Sequence, residues 1–524
     1  MSHEFHHNTI ATYILFFDRH IFTTTINSTM NTPLLLTDKQ VQDFLINGYI
    51  VLQPLSLDRD FHLSIFNQTL SVFKEEGNPG NNVLPRIPQL QYVFDDPVVS
   101  GALESLLGAN YTMQPHRHPH FSKPGFKEQQ WHKDSYFGYQ KPLRHHQLRY
   151  IMAMYYPQDT TMEMGPTAIK PRTQYSVMGS NAQRRKNQSK NQTTTSDVND
   201  DIRMVCTAGT VVLIHYDIVH KGTANQTKDS PRFMFKFQFN RLEEPTKPTW
   251  NHDPTNANYD AVDADLLQPI VKHVWNWMLG DVQHTLESVP IDQNMILEWK
   301  EQLHDHDGTI RLYAAYNLAL NNQYQILINH LFKIQGLNHF EAVYALTACR
   351  YSKEAITELQ TILKQQIDHE CRAYCIAFIF SEMGSVALEA LPLLVHVLQT
   401  SNSWLVKQYC CEALGTMQPS NQHDVDIIVR CLTRMLLDRD EQTDSKDASQ
   451  VRFTAALSLA KIGARAVEAI PALKDALYLD HNRYVNGNAL LALQRIGTSE
   501  AMKIVFDYLR ASRWCAKTTA TSQW

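Results

Sequence analysis

The feature that most constrains this chain of 524 residues is an internal repeat in its second half. The stretches AFIFSEMGSVALEALPLLVHVL and LSLAKIGARAVEAIPALKDAL align, and in each a glycine (Gly384, Gly463) precedes a proline (Pro392, Pro471) by eight residues. Glycine favours the end of a helix, and proline is tolerated in the first turn of the next one, where no helical bond needs its N–H. Helix pairs that repeat in this way stack into an α-solenoid, so the second half is predicted to be all-helical.

Two further glycines continue the series, Gly415 in CCEALGTM and Gly497 in LQRIGTSE, and each is predicted to end a helix. In its short form, VRFTAALSLAKIG, the pattern resembles HEAT repeats. This resemblance implies a surface that binds a protein partner, although the repeats can equally serve to buttress the rest of the chain.

The first half has a different pattern, because apolar runs of strand length replace the helical periodicity. They are YTMQPHRHPHFS, RYIMAMYYP, AGTVVLIHY and RFMFKFQFNRL. Before them, the segment LTDKQVQDFLINGYIVL begins the folded part of the chain. Thr37 and Gln40 form a capping box, Gly48 is predicted to end the helix, and residues 49–52 are predicted to form a strand.

These patterns predict a multidomain protein, with a sheet-rich domain followed by an all-α solenoid. The predicted segments are a disordered leader (1–36), the sheet-rich domain (37–250) with a mobile polar insert (180–201), a helical connector (251–305), the HEAT-like solenoid (306–510) and a tail (511–524).

Composition excludes several classes of function. The formal net charge of −5 leaves no excess of Lys and Arg to neutralise phosphates, so no nucleic-acid partner is expected. The apolar run IATYILFF is interrupted at Asp18, far short of the ~20 residues that span a membrane, so no membrane partner is expected either. The eight cysteines show no paired spacing, which favours a reducing compartment, and we expect a cytoplasmic protein.

The segment QQWHKDSYFGY is the first candidate for a metal site. Residues i and i+2 of an extended segment point the same way, so His132 and Asp134 can reach one ion, although two polar residues near a turn explain the pair equally well. A second imidazole can come from His220, in a turn between two strands, or from His215, five residues before it. Oxygen-activating iron needs this set of two imidazoles and one carboxylate.

Other histidines compete for the same role. His116, His118 and His120 share one face of a strand, but no carboxylate has a matching spacing, so they are predicted to be structural or to line the substrate site. The adjacent His145 and His146 are expected at the surface.

The last strand, RFMFKFQFN, separates its residues onto two faces. Phe233, Phe235, Phe237 and Phe239 fall on one face, which must pack on apolar neighbours; the alternate residues form a largely polar face that can line a wet cavity. Arg232 begins the polar face, and its guanidinium suits a co-substrate that carries a carboxylate.

The ordered set GYIVL, WHKDS, MGPTAIKPRTQY, GTVVLIHYDIVHKGTANQ and SPRFMFKFQF, over about residues 37–250, resembles the phytanoyl-CoA dioxygenase (PhyH) family. The resemblance implies a double-stranded β-helix of the jelly-roll or cupin-like type with flanking helices. It also implies a dioxygenase that uses Fe(II), 2-oxoglutarate and O2 and releases succinate and CO2 as it hydroxylates a small-molecule substrate. By this resemblance His132, Asp134 and His220 bind iron, and Arg232 and Thr223 bind 2-oxoglutarate.

The substrate is less constrained by the sequence. Lys123, Tyr139 and Lys141 lie in or beside segments that should rim the site and are predicted substrate contacts, and the two lysines favour an anionic substrate. Two other functions stay open. One is an inactive oxygenase fold that acts as a scaffold, with a protein partner bound to the repeats. The other is a zinc hydrolase, which accepts the same three ligands but does not need Arg232.

Overall fold

The structure is a computed structural model that describes residues 32–134, 141–176, 201–256, 266–280, 292–333, 340–350, 352–439 and 446–511. Several predictions lie outside these ranges: most of the leader, Tyr139, nearly all of the polar insert, parts of the connector and the tail.

The first half of the chain contains five helices and eight strands within the described residues. The helices are α1 (Asp38–Asn47), α2 (Arg59–Glu76), α3 (Val83–Arg86), α4 (Leu90–Asp95) and α5 (Pro97–Leu107). The strands are β1 (Tyr49–Leu52), β2 (Thr112–Ser122), β3 (Tyr150–Tyr155), β4 (Thr167–Lys170), β5 (Ile202–Arg203), β6 (Val211–His215), β7 (Val219–Gly222) and β8 (Arg232–Asn240).

Helix α1 and strand β1 form as the sequence predicts. The Thr37 hydroxyl accepts a bond from the backbone N–H of Gln40, while the Gln40 side chain accepts one from the backbone N–H of Thr37, which confirms the capping box. Gly48 ends the helix in the left-handed conformation, at φ 81°, and donates to the Phe44 carbonyl.

The strands form two antiparallel sheets, with orders β1-β6-β3-β8-β2 and β5-β4-β7. Strand β8 is buried along its whole length, between β3 and β2. Its phenylalanine face packs on helices: Phe233 contacts Phe66 and Phe73 of α2, and Phe237 contacts Phe94 of α4 with 4.4 Å between ring centroids. The predicted two-faced strand is therefore confirmed, and its polar face is turned to the inside of the domain.

The second half is helical, as predicted. Its helices are α6 (Gln268–Met278), α7 (Gln293–Gln302), α8 (Gly308–Leu320), α9 (Tyr324–Lys333), α10 (Glu341–Leu346), α11 (Lys353–Gln365), α12 (Glu370–Met383), α13 (Leu391–Thr400), α14 (Trp404–Met417), α15 (Gln422–Leu437), α16 (Lys446–Ile462), α17 (Ile470–Leu479), α18 (Arg483–Ile496) and α19 (Ser499–Ala511).

The glycines and prolines of the repeat have the predicted places, with one exception. Gly384 follows α12, and Pro392 lies in the first turn of α13; Gly463 and Pro471 have the same relation to α16 and α17. Gly415 does not end a helix, so that prediction was wrong. It lies inside α14, where an added Cβ would come within 2.4 Å of the Ser458 hydroxyl of α16. Here the missing side chain allows two helices to pack closely.

The first helix of each repeat pair faces the sheet-rich domain. Helices α8, α10, α12, α14, α16 and α18 pack side by side in that order. Four tyrosine hydroxyls on them bond to the sheet-rich domain: Tyr316 to His146 Nδ1 (2.8 Å), Tyr344 to the backbone N–H of Arg144 (3.1 Å), Tyr409 to the backbone of Leu143 (3.3 Å) and Tyr484 to His116 Nδ1 (2.7 Å). The repeats and the sheet-rich domain therefore share an extensive contact.

A buried group of charges lies at the centre of this contact. Glu412 of α14 accepts two bonds from the Lys141 ammonium, at 2.8 and 3.0 Å, and Glu382 of α12 accepts one from Arg149 Nε at 2.7 Å. The His145 ring lies between the two carboxylates, 2.8 Å from Glu382 and 3.2 Å from Glu412. These five side chains are at most 5% exposed.

The expectation that His145 and His146 lie at the surface was therefore wrong. The two rings do point to different neighbours, but both neighbours belong to the repeats, and the residues are only 2% and 5% exposed. Burial alone would lower the pKa of His145, but the carboxylates of Glu382 and Glu412 outweigh it and raise that pKa. His145 is thus more readily protonated between the two carboxylates than a free imidazole is.

One stretch of the described residues, Glu370–Thr400, is long and apolar enough to cross a membrane by length and composition alone. It comprises α12, a 3-10 turn and α13, and 61% of its most apolar window is buried inside the protein. The stretch includes Glu382 with its ion pairs, so its apolar character is explained by packing within the repeats.

We predict that Glu412→Gln destabilises the protein, because it leaves the Lys141 ammonium and the His145 ring with one buried carboxylate fewer. Removal of one partner of a buried ion pair costs about 3–5 kcal/mol. The thermal unfolding midpoint, measured by calorimetry, should fall clearly below that of wild type. The exposed Glu468→Gln is the matched control and should leave the midpoint unchanged; equal midpoints for the two variants would contradict the assigned role.

Candidate metal centre

The segment that carries the first two candidate ligands lies along the edge of the smaller sheet. His132 and His220 exchange backbone bonds, N–H to carbonyl in both directions at 3.0 Å, and the Gln129 N–H donates to the Gly222 carbonyl at 2.9 Å. Directly paired residues of antiparallel strands project their side chains to the same side. This pairing therefore brings the imidazoles of His132 and His220 together.

Trp131 fixes this segment from the opposite side. Its ring lies against the ammonium groups of Lys170 on β4 and Lys221 on β7, which are 5.0 and 4.5 Å from the ring centroid. A cation over an aromatic face is attracted by the ring quadrupole, so the indole clamps the segment onto the sheet. The residue next to it, His132, is positioned by this contact.

The three predicted ligands converge. His132 Nε2 lies 3.7 Å from one oxygen of Asp134, and His220 Nε2 lies 3.7 Å from the other. All three ligand atoms are within 4.8 Å of one another, and no other group of three or more candidate ligands occurs among the described residues. Because bonds from a metal to N or O ligands are about 2.0–2.2 Å, one ion fits among them after small side-chain movements.

Both imidazoles present the nitrogen that a metal needs. The Nδ1 of His132 donates to the Gln130 carbonyl at 2.8 Å, and the Nδ1 of His220 donates to the Ile218 carbonyl at 3.1 Å. The proton is thereby held on Nδ1, and the Nε2 lone pair is free to bind. Burial, opposed by Asp134, lowers the pKa of His220 to about 4, which keeps this ring neutral.

Asp134 is held as a carboxylate. Its Oδ2 accepts a bond from the Lys236 ammonium at 2.6 Å. Burial alone would raise the pKa of Asp134, but Lys236 and His220 lower it well below its usual range. The sequence placed Lys236 on the polar face of β8 but not next to Asp134, because these residues are more than 100 positions apart.

Arg144 fixes the backbone at the same ligand. Its Nη1 donates to the Asp134 carbonyl at 2.7 Å and pairs with the Asp217 carboxylate, which lies in the turn between β6 and β7. The Arg144 N–H in turn donates to the Tyr344 hydroxyl of α10. The repeats therefore reach the ligand segment through Arg144, a connection that sequence patterns did not reveal.

Arg232 is a buried guanidinium with donors to spare. It is 3% exposed, and neither Nε nor Nη1 has a hydrogen-bond partner among the described residues. A buried guanidinium without an anion is unfavourable, so this group suits a ligand that brings a carboxylate. Burial lowers the pKa of Arg232, opposed by the nearby Tyr156, whose buried hydroxyl, like that of Thr167, has no hydrogen-bond partner among the described residues. Sequence reasoning missed both hydroxyl residues.

Thr223 is buried, and its hydroxyl donates to the Pro166 carbonyl at 2.6 Å. The chain can pass this closely because Gly165 has no side chain: an added Cβ would lie 2.6 Å from the Thr223 carbonyl oxygen. The Thr223 hydroxyl proton is thus used inside the protein. A contact between Thr223 and 2-oxoglutarate stays a prediction.

The predicted substrate contacts do not meet in one place. Lys123 is exposed, and Tyr139 lies outside the described residues. Lys141 is buried with its ammonium bonded to Glu412, so the structure gives it a place in the contact with the repeats instead of the predicted place at the substrate. His215, the alternative ligand, accepts a bond from the Asp217 N–H and lies outside the ligand cluster.

With this geometry established, comparison with known proteins is informative. The family model of phytanoyl-CoA dioxygenase (PhyH) matches residues 67–234, and that of HEAT repeats matches residues 441–522. The chain contains a PhyH domain followed by HEAT repeats. The PhyH match covers both candidate histidine ligands, Asp134 and Arg232. No curated protein matches the chain.

Three solved structures are similar to part of this chain. HygX from Streptomyces hygroscopicus, with nickel and 2-oxoglutarate bound, is 12% identical over 40% of this chain and 88% of its own, with a TM-score of 0.33. The non-heme α-ketoglutarate-dependent carbocyclase SnoK from nogalamycin biosynthesis is 17% identical over 40% of this chain and 88% of its own, with a TM-score of 0.31. The nickel complex of the non-heme monooxygenase ThoJ is 12% identical over 46% of this chain and 96% of its own, with a TM-score of 0.31. At these scores the assignment depends on the family match.

We predict that His220→Ala weakens the binding of Co(II) by more than about 100-fold. Loss of a residue that only hydrogen-bonds to a metal ligand already lowers metal affinity by about 10–100-fold. Isothermal titration calorimetry on metal-free protein measures this directly. The exposed His396→Ala is the matched control and should bind Co(II) as wild type does. Unchanged affinity in His220→Ala would place the metal elsewhere.

Proposed function

We propose that this protein is an Fe(II)- and 2-oxoglutarate-dependent dioxygenase that hydroxylates a small organic substrate. The observation that carries the proposal is the combination of two imidazoles and one carboxylate with a buried guanidinium whose Nε and Nη1 have no partner among the described residues. Two histidines and one carboxylate on one side of an ion are typical of non-heme iron oxygenases, since the remaining positions stay open.

The residues present fit both groups. His132, Asp134 and His220 would hold the metal, and Arg232 would hold the carboxylate of 2-oxoglutarate that lies away from it. When bound, iron and 2-oxoglutarate supply the oxidising power: O2 gives one oxygen atom to the substrate and one to succinate, and CO2 leaves. The chain itself keeps the ligand nitrogens unprotonated, orients the co-substrate and excludes bulk water.

A buried Arg232 also separates this proposal from the zinc hydrolase. A hydrolase with the same three ligands has no need of an anion site in the adjacent strand. In a dioxygenase, the guanidinium gains its missing partner when 2-oxoglutarate binds.

The scaffold alternative is less favoured by the contacts of the repeats. The helices that would offer an inner surface to a partner already contact the PhyH domain, through Tyr316, Tyr344, Glu382, Glu412 and Tyr484. We propose that the repeats support the catalytic domain and hold the ligand segment through Arg144.

The proposal is tested by optical titration without oxygen. Wild-type protein with Fe(II) should develop a weak visible absorption band as 2-oxoglutarate is added, and His132→Ala should not. Arg232→Met should need roughly 10- to 100-fold more 2-oxoglutarate for half of the band, because bonds to charged groups contribute about 1.5–3 kcal/mol each.

The exposed Arg430→Met is the control and should titrate like wild type. If wild-type protein shows no band and instead retains zinc tightly, the dioxygenase is contradicted and the hydrolase is favoured. If Arg232→Met titrates like wild type, the assigned co-substrate site is wrong.

A further inference from the structure

The polar face of β8 continues onto the neighbouring strand β2. His118 pairs directly with Lys236, and His120 pairs with Met234. Because paired residues share a face, the two imidazoles stand beside the Lys236 ammonium, and their ring centroids are 4.7 Å apart. The histidines that the sequence left without a function thus form one wall with Lys236, on the side of the sheet that carries Arg232.

Lys236 lies at the centre of this wall. It is 9% exposed, and its Nζ contacts Asp134 at 2.6 Å, so it borders the metal centre. After burial, its charge is the largest influence that lowers the pKa values of His116, His118 and His120. All three rings are therefore near the ammonium, and an imidazole can donate at least one hydrogen bond.

The wall offers unused hydrogen-bonding capacity. His120 Nε2 is shielded from solvent and has no hydrogen-bond partner among the described residues. His116 is held by Tyr484 of α18, and the adjacent Arg483 brings a second positive charge close to it. Donors and positive charge thus extend from the metal centre to the repeats.

The balance of charge in the loaded site leaves Lys236 uncompensated. A divalent ion, the Asp134 carboxylate, the two carboxylates of 2-oxoglutarate and the Arg232 guanidinium sum to zero. Asp134 is the one carboxylate that pairs with Lys236 in the part of the chain that the structure describes, and the metal shares its charge. A buried ammonium without a net counter-charge is unfavourable.

We propose that the substrate carries an anionic group, a carboxylate or a phosphate, that binds Lys236 and the imidazoles of His118 and His120. The inference rests on the proposed function, and it assigns the anion site to residues other than Lys123 and Lys141. An uncharged substrate would leave the ammonium buried without compensation. An anion removes that cost and would be oriented next to the metal by the same contacts.

The test measures where a small anion binds, without turnover. Protein is loaded with Mn(II) and N-oxalylglycine, an unreactive analogue of 2-oxoglutarate, and titrated with inorganic phosphate or with 13C-labelled hexanoate. Paramagnetic relaxation of the 31P or 13C nucleus by Mn(II) is strong only close to the metal. At least one probe should show saturable relaxation in wild type, and the probe that does so identifies phosphate or carboxylate as the preferred anion.

Three variants give the result its meaning. Lys236→Met should weaken binding of the probe by at least ~10-fold, since a bond to a charged group is lost. Lys236→Arg, which keeps the charge, should bind the probe more tightly than Lys236→Met does. The exposed Lys272→Met should match wild type.

The outcomes separate this inference from the proposed function. Failure of Mn(II) or N-oxalylglycine to bind would contradict the proposed function itself. If both bind but neither probe relaxes, or if the relaxation is the same in Lys236→Met, the anion site is wrong. If Lys236→Met lowers the affinity for Mn(II) but leaves probe binding unchanged, Lys236 only orients Asp134, and the inference is likewise overturned.

Discussion

Two buried carboxylates, Glu382 and Glu412, hold the two halves of this protein together. They belong to the repeats, yet their partners Lys141, His145 and Arg149 all belong to the segment that leads into the central strand β3. Buried charges are tolerated only when they are paired. Either half alone would leave these groups exposed to solvent or buried without a partner. The repeats and the PhyH domain thus depend on each other, and we regard them as one structural unit.

The same segment connects this contact to the metal centre. Arg144 lies between the residues that pair with the repeats, and it holds both the Asp134 carbonyl and the turn that precedes His220. Within the described residues, the segment that carries Asp134 is joined to the smaller sheet by only a few backbone bonds. The position of Asp134 therefore depends strongly on such side-chain contacts. The geometry of the site is therefore set partly by helices that lie more than 200 residues further along the chain.

Sequence patterns were sufficient wherever the physics is local. The capping box of α1 and the alternating faces of β8 depend on neighbours within a few positions, and they were predicted correctly. The candidate ligands came from a spacing and from the PhyH resemblance, and the structure brings all three together. The glycines that end helices were also predicted. Gly415 was wrongly placed among them, because its missing side chain allows a neighbouring helix to pack closely and does not end its own helix.

What the sequence did not predict consists of contacts between distant residues. Nothing local indicates that Lys141 bonds to Glu412, that His145 is buried between two carboxylates, or that Lys236 pairs with Asp134. Lys141 was placed at the substrate because its segment was expected to rim the site, and His145 was placed at the surface because adjacent residues face apart. Both errors have the same origin: an interface between two domains that is invisible until the domains are folded together.

The central claim is that one metal ion and one 2-oxoglutarate occupy the space between His132, Asp134, His220 and Arg232. The most direct test is a crystal structure of the protein grown without oxygen in the presence of Mn(II) and 2-oxoglutarate. The account predicts one ion bound by Nε2 of both histidines and by the Asp134 carboxylate, with the far carboxylate of 2-oxoglutarate bonded to Arg232. An ion bound elsewhere, with these three side chains turned apart, would contradict it.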